Sequence, residues 1–210
     1  MKRRLAILGG MFNPVHNGHL RVAVECRDAF NFDELRMMPC AEPPHREKPD
    51  VSPQQRLDML KLALENVDGI EADGRELSRS GYSYTVDTLD SLKAEFPQAS
   101  VYLIFGSDTF QSLDTWHSWE KILKLANVII AQRPDTQDNL SSKMGKLLKD
   151  CFTTDLATFE ESPFGLIYIL KVSQLDISSS QIRKMFREKK SVQFLLPEIV
   201  LSYIKQNKIY

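Results

Sequence analysis

Residues 8–20 read LGGMFNPVHNGHL. They follow directly on the apolar run RLAIL (4–8). They lead into HLRVAVECRDAF (19–30), where helical spacing puts Leu20, Ala23 and Val24 on one face. Two glycines, a proline, an Asn-Gly pair and two histidines therefore lie between a buried strand and a helix. Gly9 and Gly10 let backbone approach a ligand closely. Pro14 stiffens the loop, and Asn17 with Gly18 suits a helix entrance. The N–H groups of the first helical turn then make an anion site, to which His16 and His19 would add two donors.

Working outward, the same strand–helix alternation continues. ELRMMP (34–39) reads as a second strand, and the proline-rich stretch 40–51 as a loop. SPQQRLDMLKLALEN (52–66) reads as a helix, with Ser52 and Gln55 forming a capping box and Pro53 in the first position. GIEAD (69–73) reads as a short strand, and SYTVDTLDSLKAEF (83–96) as a helix stopped by Pro97. SVYLIFG (100–106), ANVIIAQ (126–132) and FGLIYIL (164–170) read as buried strands. SSSQIRKMFREKK (178–190) and PEIVLSYIKQNK (197–208) read as closing helices. The stretch 134–160 is polar and irregular and is expected to be a mobile insertion. The alternation predicts an α/β fold: a Rossmann-like, doubly wound parallel sheet with helices on both faces. A single domain spanning 1–210 is expected, with a small C-terminal helical part at about 178–210. In such sheets ligands bind beyond the carboxyl ends of the strands. Gly9 to His19, Gly106 to Asp108, and Arg133 fall there.

Composition narrows the class. Of 210 residues, 42% are hydrophobic and 26% charged, the balance of an ordinary globular protein with a real core. The net charge of -1 suggests no bulk affinity for nucleic acid or membrane. Cys26, Cys40 and Cys151 are odd in number and far apart, which argues against a disulfide framework or a structural zinc site. They are expected to be packing residues in a reducing compartment. The N-terminus lacks the apolar length of a signal peptide, and no run approaches the roughly 18 apolar residues of a membrane span. A cytoplasmic location is expected.

The opening stretch is neither G-x-G-x-x-G nor a P-loop. Its two histidines lack the glutamate of HExxH. Only His45 and His117 could complete a three-histidine metal set, so no protein metal site is expected. No G-x-S-x-G elbow occurs for a serine nucleophile. Near the other end, Ser178, Ser179 and Ser180 precede an amphipathic run, so one of them can cap a helix. Arg183 would then stand beside its first turn. Serine hydroxyls, helix N–H groups and a guanidinium fork suit a triphosphate.

These residues carry a resemblance. GGMFNPVHNGHL resembles the G-x-F-x-P-x-H-x-G-H signature of the HxGH nucleotidyltransferase superfamily. ISSSQIR (177–183) resembles its I-S-S-T-x-I-R signature. PPHR (43–46), YSYTVDTL (82–89), FGSDTFQSLDTWHSW (105–119), ANVIIAQRP (126–134) and LPEIVLSYIKQNKIY (196–210) are similar to the bacterial nicotinate-nucleotide adenylyltransferase family. Met11 stands where that family usually has Thr or Ser, and Ser180 where it has Thr.

The resemblance implies adenylyl transfer from ATP to nicotinate mononucleotide, giving deamido-NAD and pyrophosphate, with magnesium accompanying ATP. It implies catalytic roles for His16, His19, Arg46 and Arg183. It assigns ATP to Gly9, Gly10, Phe12, His16, Gly18, His19, Gly106, Asp108, Arg133, Ile177, Ser179, Ser180 and Arg183. It assigns the mononucleotide to His45, Arg46, Tyr84, Thr85 and Trp116, with Trp116 stacked on the pyridine ring. Other readings stay open for some of these. Asp108 would serve equally as a helix N-cap, Arg46 as a solvated side chain, and the tryptophans as core. Acceptance of nicotinamide mononucleotide or phosphopantetheine, a non-catalytic nucleotide sensor on the same fold, and a homo-oligomer are the alternatives the sequence leaves.

Overall fold

The computed structural model describes residues 3–43, 51–132, 142–173 and 175–210. Six strands form one sheet: β1 (Arg4–Gly10), β2 (Glu34–Pro39), β3 (Ile70–Ala72), β4 (Ser100–Gly106), β5 (Asn127–Gln132) and β6 (Ile167–Lys171). Their order is β3-β2-β1-β4-β5-β6, and every pairing is parallel. Leu5, Ala6, Ile7 and Leu8 are all buried, as a strand covered on both faces requires. The chain leaves β1 for β2 on one side and returns to β4 on the other. That reversal opens a crevice at the carboxyl ends of β1 and β4.

Side chains alternate along each strand, so the sheet has two apolar faces. Ala6, Leu8, Tyr102, Ile104 and Ile129 face one core. It is completed by α1 (Asn17–Ala29), α2 (Pro53–Leu64), α8 (Ser179–Arg187) and α9 (Glu198–Gln206). Leu5, Ile7, Val101, Leu103, Val128 and Ile130 face the other. That face is covered by α3 (Thr85–Glu95), α4 (Ser107–Gln111) and α5 (Ile122–Leu125). The late helices share the first core through Ile182, Val200, Leu201 and Ile204. Burying each such side chain contributes about 1.5–3 kcal/mol over leaving it exposed. That burial ties ISSSQIR to the loop at the other end of the sequence.

The start of α2 carries the expected capping box, with Ser52 accepting from the Gln55 N–H and Gln55 accepting from the Ser52 N–H. The expectation for 134–160 needs correction. Residues 133–141 lie outside the described residues, but 142–160 is a docked segment. It forms α6 (Lys143–Leu147) and α7 (Leu156–Glu161), capped by Ser142 and Asp155. Met144 and Phe159 are completely buried, and Phe159 packs among Phe30, Tyr102 and Tyr168. Single apolar anchors in short helices produce no periodicity, which is why the stretch reads as irregular.

None of the three cysteines is in a disulfide. Burial pushes the Cys26 thiol up to about 12, so it packs as an uncharged group. Among the described residues no helix is long and apolar enough to cross a membrane.

Candidate active site

The crevice is a cleft of about 1370 Å³. One wall is the loop between β1 and α1. Phe12 takes a left-handed φ of 45° and is buried to 1% exposure. Its ring lies where a Cβ on Gly10 would come within 2.9 Å, so a side chain at position 10 would force the buried Phe12 ring to shift. His16 is the N-cap of α1 and is 4% exposed. Its imidazole stacks on that of His19, with ring centroids 3.6 Å apart, and Phe12 meets His19 edge-on at 5.0 Å. A Cβ on Gly18 would crowd the His16 ring at 3.1 Å and meet the Ile177 carbonyl of the second signature at an ordinary contact distance of 3.7 Å.

The loop's carbonyls are claimed by donors from distant parts of the chain. The Cys40 N–H donates to Gly10 at 2.9 Å. Arg183 donates from Nη1 to the Asn13 carbonyl at 2.7 Å, and Ser179 Oγ to the Pro14 carbonyl at 2.9 Å. Tyr210 donates its hydroxyl to Asn13 Oδ1, and Asn17 donates from Nδ2 to the Phe194 carbonyl at 2.8 Å. Burial pushes the Tyr210 phenol far up, beyond the pull of Arg183 and Arg56, which keeps it a neutral donor. With its carbonyls so held, the loop offers chiefly N–H groups to a ligand, the arrangement an anion needs.

The facing element is α8. Ser178 is its cap, accepting from the Gln181 N–H, which leaves Ser179 and Ser180 to face the cleft. Arg183 also donates from Nη2 to Ser180 Oγ at 3.3 Å. Gly9, Ile177 and Arg183 line this same end.

Beyond β4, Gly106 and Asp108 line the cleft as expected. The N-cap of α4 is Gly106, not Asp108, which sits in the first turn with no capping bond. The helix-cap alternative for Asp108 is therefore corrected. The far end is aromatic. Tyr84 is the N-cap of α3 and Thr85 its first residue. His117 lies tilted against Tyr84 at 4.4 Å, and Trp116 is half-buried with its ring edge-on to Phe105 at 5.9 Å. Both tryptophans pack against the second core, and of the two Trp116 lines the cleft. His45, Arg46 and Arg133 lie outside the described residues. Among the described residues no cluster of three His, Cys, Asp or Glu could hold a metal ion.

Sequence reading missed several cleft-side groups. Arg56 is fully buried in α2 and donates to the Met11 carbonyl at 2.9 Å and to the Ala41 carbonyl at 3.1 Å. Its signal was available, because Arg56 precedes Met59 and Leu60 by three and four residues on the buried stripe. Burial pushes its pKa down, against the pull of Cys40, Tyr210 and Glu76. Met11 thus serves through its carbonyl, which any residue could supply. Tyr210 and the His117–Tyr84 pair gave no signal, since contacts over such separations leave no local pattern. Glu76 was also missed. It accepts from Thr88 Oγ1 at 2.8 Å, and both line the cleft.

The model of the cytidylyltransferase-like family matches residues 7–185. A Methylococcus capsulatus protein named "Probable nicotinate-nucleotide adenylyltransferase" is 42% identical over 207 residues, 98% of this chain and 99% of its own. A protein of the same name from Marinomonas is 40% identical over 98% of this chain and 94% of its own. Plasmodium falciparum nicotinic acid mononucleotide adenylyltransferase, solved in complex with NaAD, has the same fold. It aligns with a TM-score of 0.77 at 21% identity, covering 99% of this chain and 97% of that one.

Proposed function

The chain belongs to the nicotinate-nucleotide adenylyltransferase family, and from that premise we propose how its cleft transfers an adenylyl group from ATP to nicotinate mononucleotide. The observation that carries the reading is the meeting of two signatures some 160 residues apart, His16 and His19 on α1 with Ser179 and Arg183 on α8, around one loop. That end suits a triphosphate. The aromatic end, with Trp116 and the N-terminus of α3, suits a flat pyridine ring bearing a carboxylate.

The reaction is an in-line displacement. A phosphate oxygen of the mononucleotide attacks the α-phosphorus of ATP. The bond from that phosphorus to the bridging oxygen breaks, and pyrophosphate leaves with its electron pair. The attacking phosphate is already ionised at neutral pH, so no strong base is required, and because it attacks directly no side chain becomes adenylylated. Catalysis is positioning and charge stabilisation. His16 and His19 hydrogen-bond the α- and β-phosphate region. Ser179 and Arg183 hold the departing pyrophosphate. Arg46 orients the attacking phosphate, and His45 joins it in binding the mononucleotide. Asp108 takes ribose hydroxyls on the ATP side, and Arg133 reaches phosphate or adenine. Thr85 offers N–H and hydroxyl donors to the carboxylate. Magnesium arrives with ATP as part of the substrate, held by phosphate oxygens and water, as a hard ion that keeps most of its waters prefers.

Pyrophosphate release tests this reading. With ATP present, release should follow addition of nicotinate mononucleotide and be much slower with nicotinamide mononucleotide or phosphopantetheine. No release with any of the three would favour a nucleotide sensor.

A further inference from the structure

Arg56 is unlike Arg183 and Arg187, the arginines that line the cleft. Its guanidinium is fully buried yet lies between two backbone segments. One arm holds the Met11 carbonyl in the phosphate loop. The other holds the Ala41 carbonyl, just beyond β2. Its Nε donates to no protein atom among the described residues. Residues 41 and 42 are themselves tied to the aromatic end. Their N–H groups donate to Ser83 Oγ at 3.0 and 3.3 Å, and the Ser83 N–H returns a bond to the Glu42 carbonyl at 2.8 Å. Ser83 adjoins Tyr84 and Thr85 at the start of α3. Hydrogen bonds and short backbone links therefore connect Met11 through Arg56, Ala41, Glu42 and Ser83 to the start of α3.

We infer that Arg56 is a positioning residue that sets the distance between the two halves of the cleft. This rests on the function proposed above. An in-line transfer needs the attacking phosphate and the α-phosphorus about 3–3.5 Å apart, and a misplacement of about 1 Å costs roughly 10²-fold in rate. A planar guanidinium suits the task, because its two arms reach two carbonyls at once in fixed geometry. An ammonium on a flexible stem is a point donor without that fork. Each substrate still meets its own half of the cleft when Arg56 is lost. The cost then falls on turnover rather than on binding.

The test compares Arg56→Gln and Arg56→Lys with the wild-type chain. Each is assayed for kcat and for both KM values, with ATP stoichiometry measured by titration calorimetry and folding by thermal melting. Arg56→Gln should lose about 10²-fold in kcat while each KM changes by less than about 3-fold and one ATP still binds per chain. Arg56→Lys should lose at least about 10-fold, since its charge survives but the two-armed bridge does not. A near-wild-type kcat in Arg56→Lys would overturn the inference, as would a loss that merely tracks a reduced ATP stoichiometry.

Hydrogen exchange keeps the question open to decision if Arg56→Gln does not fold or if the wild-type chain transfers no adenylyl group. ATP should slow exchange at 10–13 and also at 40–42 and 83–85 in the wild-type chain. In Arg56→Lys, protection should stop at 10–13. Protection confined to 10–13 in the wild-type chain, or equal protection in both, would overturn the inference. Failure of transfer alone would count against the proposed function and leave this result standing.

Discussion

Two groups of arginines in this molecule are held in opposite ways. At the β2–β3 edge, Arg36 meets Glu34 and Asp73, and Arg75 meets Asp73 and Glu95. Arg3 also pairs with Glu34, and Phe96 lies under Arg3 and Arg36 at 4.5 and 5.3 Å. At the cleft, Arg56 and Arg183 are held by carbonyls and a serine hydroxyl, and among the described residues neither meets a carboxylate. A carboxylate cancels a guanidinium's charge, whereas a carbonyl orients it and leaves most of the charge in place. The first region spends its charge on the fold. In the second, Arg183 lines the cleft and keeps its charge for a polyanion, while the buried Arg56 holds the backbone around it. Substitutions at the edge should therefore move stability, and substitutions at the cleft should move activity.

The largest expected effect lies at the cleft. His19→Ala should lower kcat by about 10²-fold or more, on the scale of a lost oxyanion donor, with little change in melting temperature. Near-wild-type turnover in this variant would remove His19 from the phosphate site.

Next comes the edge. Asp73→Asn should cost about 2 kcal/mol of stability by weakening hydrogen bonds to two guanidinium groups, with kcat and both KM values unchanged. The pH dependence sharpens this. Burial pushes the Asp73 carboxyl up, but the Arg75 N–H and the Arg75 and Arg36 guanidinium groups outweigh it and hold the pKa below the usual range. Glu34 is likewise lowered, with burial opposed by Arg36 and Arg3. Carboxylates with depressed folded-state values stabilise fully above their unfolded values near 4. They lose that contribution as pH falls through the folded ones. The melting-temperature gap between wild type and Asp73→Asn should therefore be widest at pH 7 and close towards pH 3. A gap independent of pH would show that packing, not charge, is responsible.

Trp116→Ala should raise the mononucleotide KM about 10-fold, the scale of one lost ring stack, and leave the ATP KM within about twofold. Equal losses for both substrates would mean that the cleft has collapsed rather than lost a platform. The smallest effect is expected for Tyr210→Phe. Losing its bond to Asn13 should cost about 1 kcal/mol of loop order and lower kcat/KM for ATP several-fold. An unchanged kcat/KM would mean that Arg183 and Ser179 suffice to hold the loop.

Much of this molecule was legible in its letters because the relevant forces act locally. Uninterrupted apolar runs marked strands buried on both faces, as at RLAIL and SVYLIFG. A capping box marked the start of α2. Glycine, proline and histidine between a strand and a helix marked an anion site. Resemblance across the whole chain then named the chemistry. What stayed hidden was what depends on separation. Met144 and Phe159 dock a stretch without periodicity. Arg56 reads as one more charged helical residue until the fold buries it between two carbonyls. Met11 looks misplaced until its backbone, not its side chain, turns out to be what Arg56 holds. The sequence by itself determined the six strands, the five longer helices and which residue types gather at their ends, but not the short helices α4 to α7. Only the tertiary structure decided which donors meet which acceptors across 45 to 197 residues of chain. Those distances are closed by two hydrophobic cores, and no local preference encodes them.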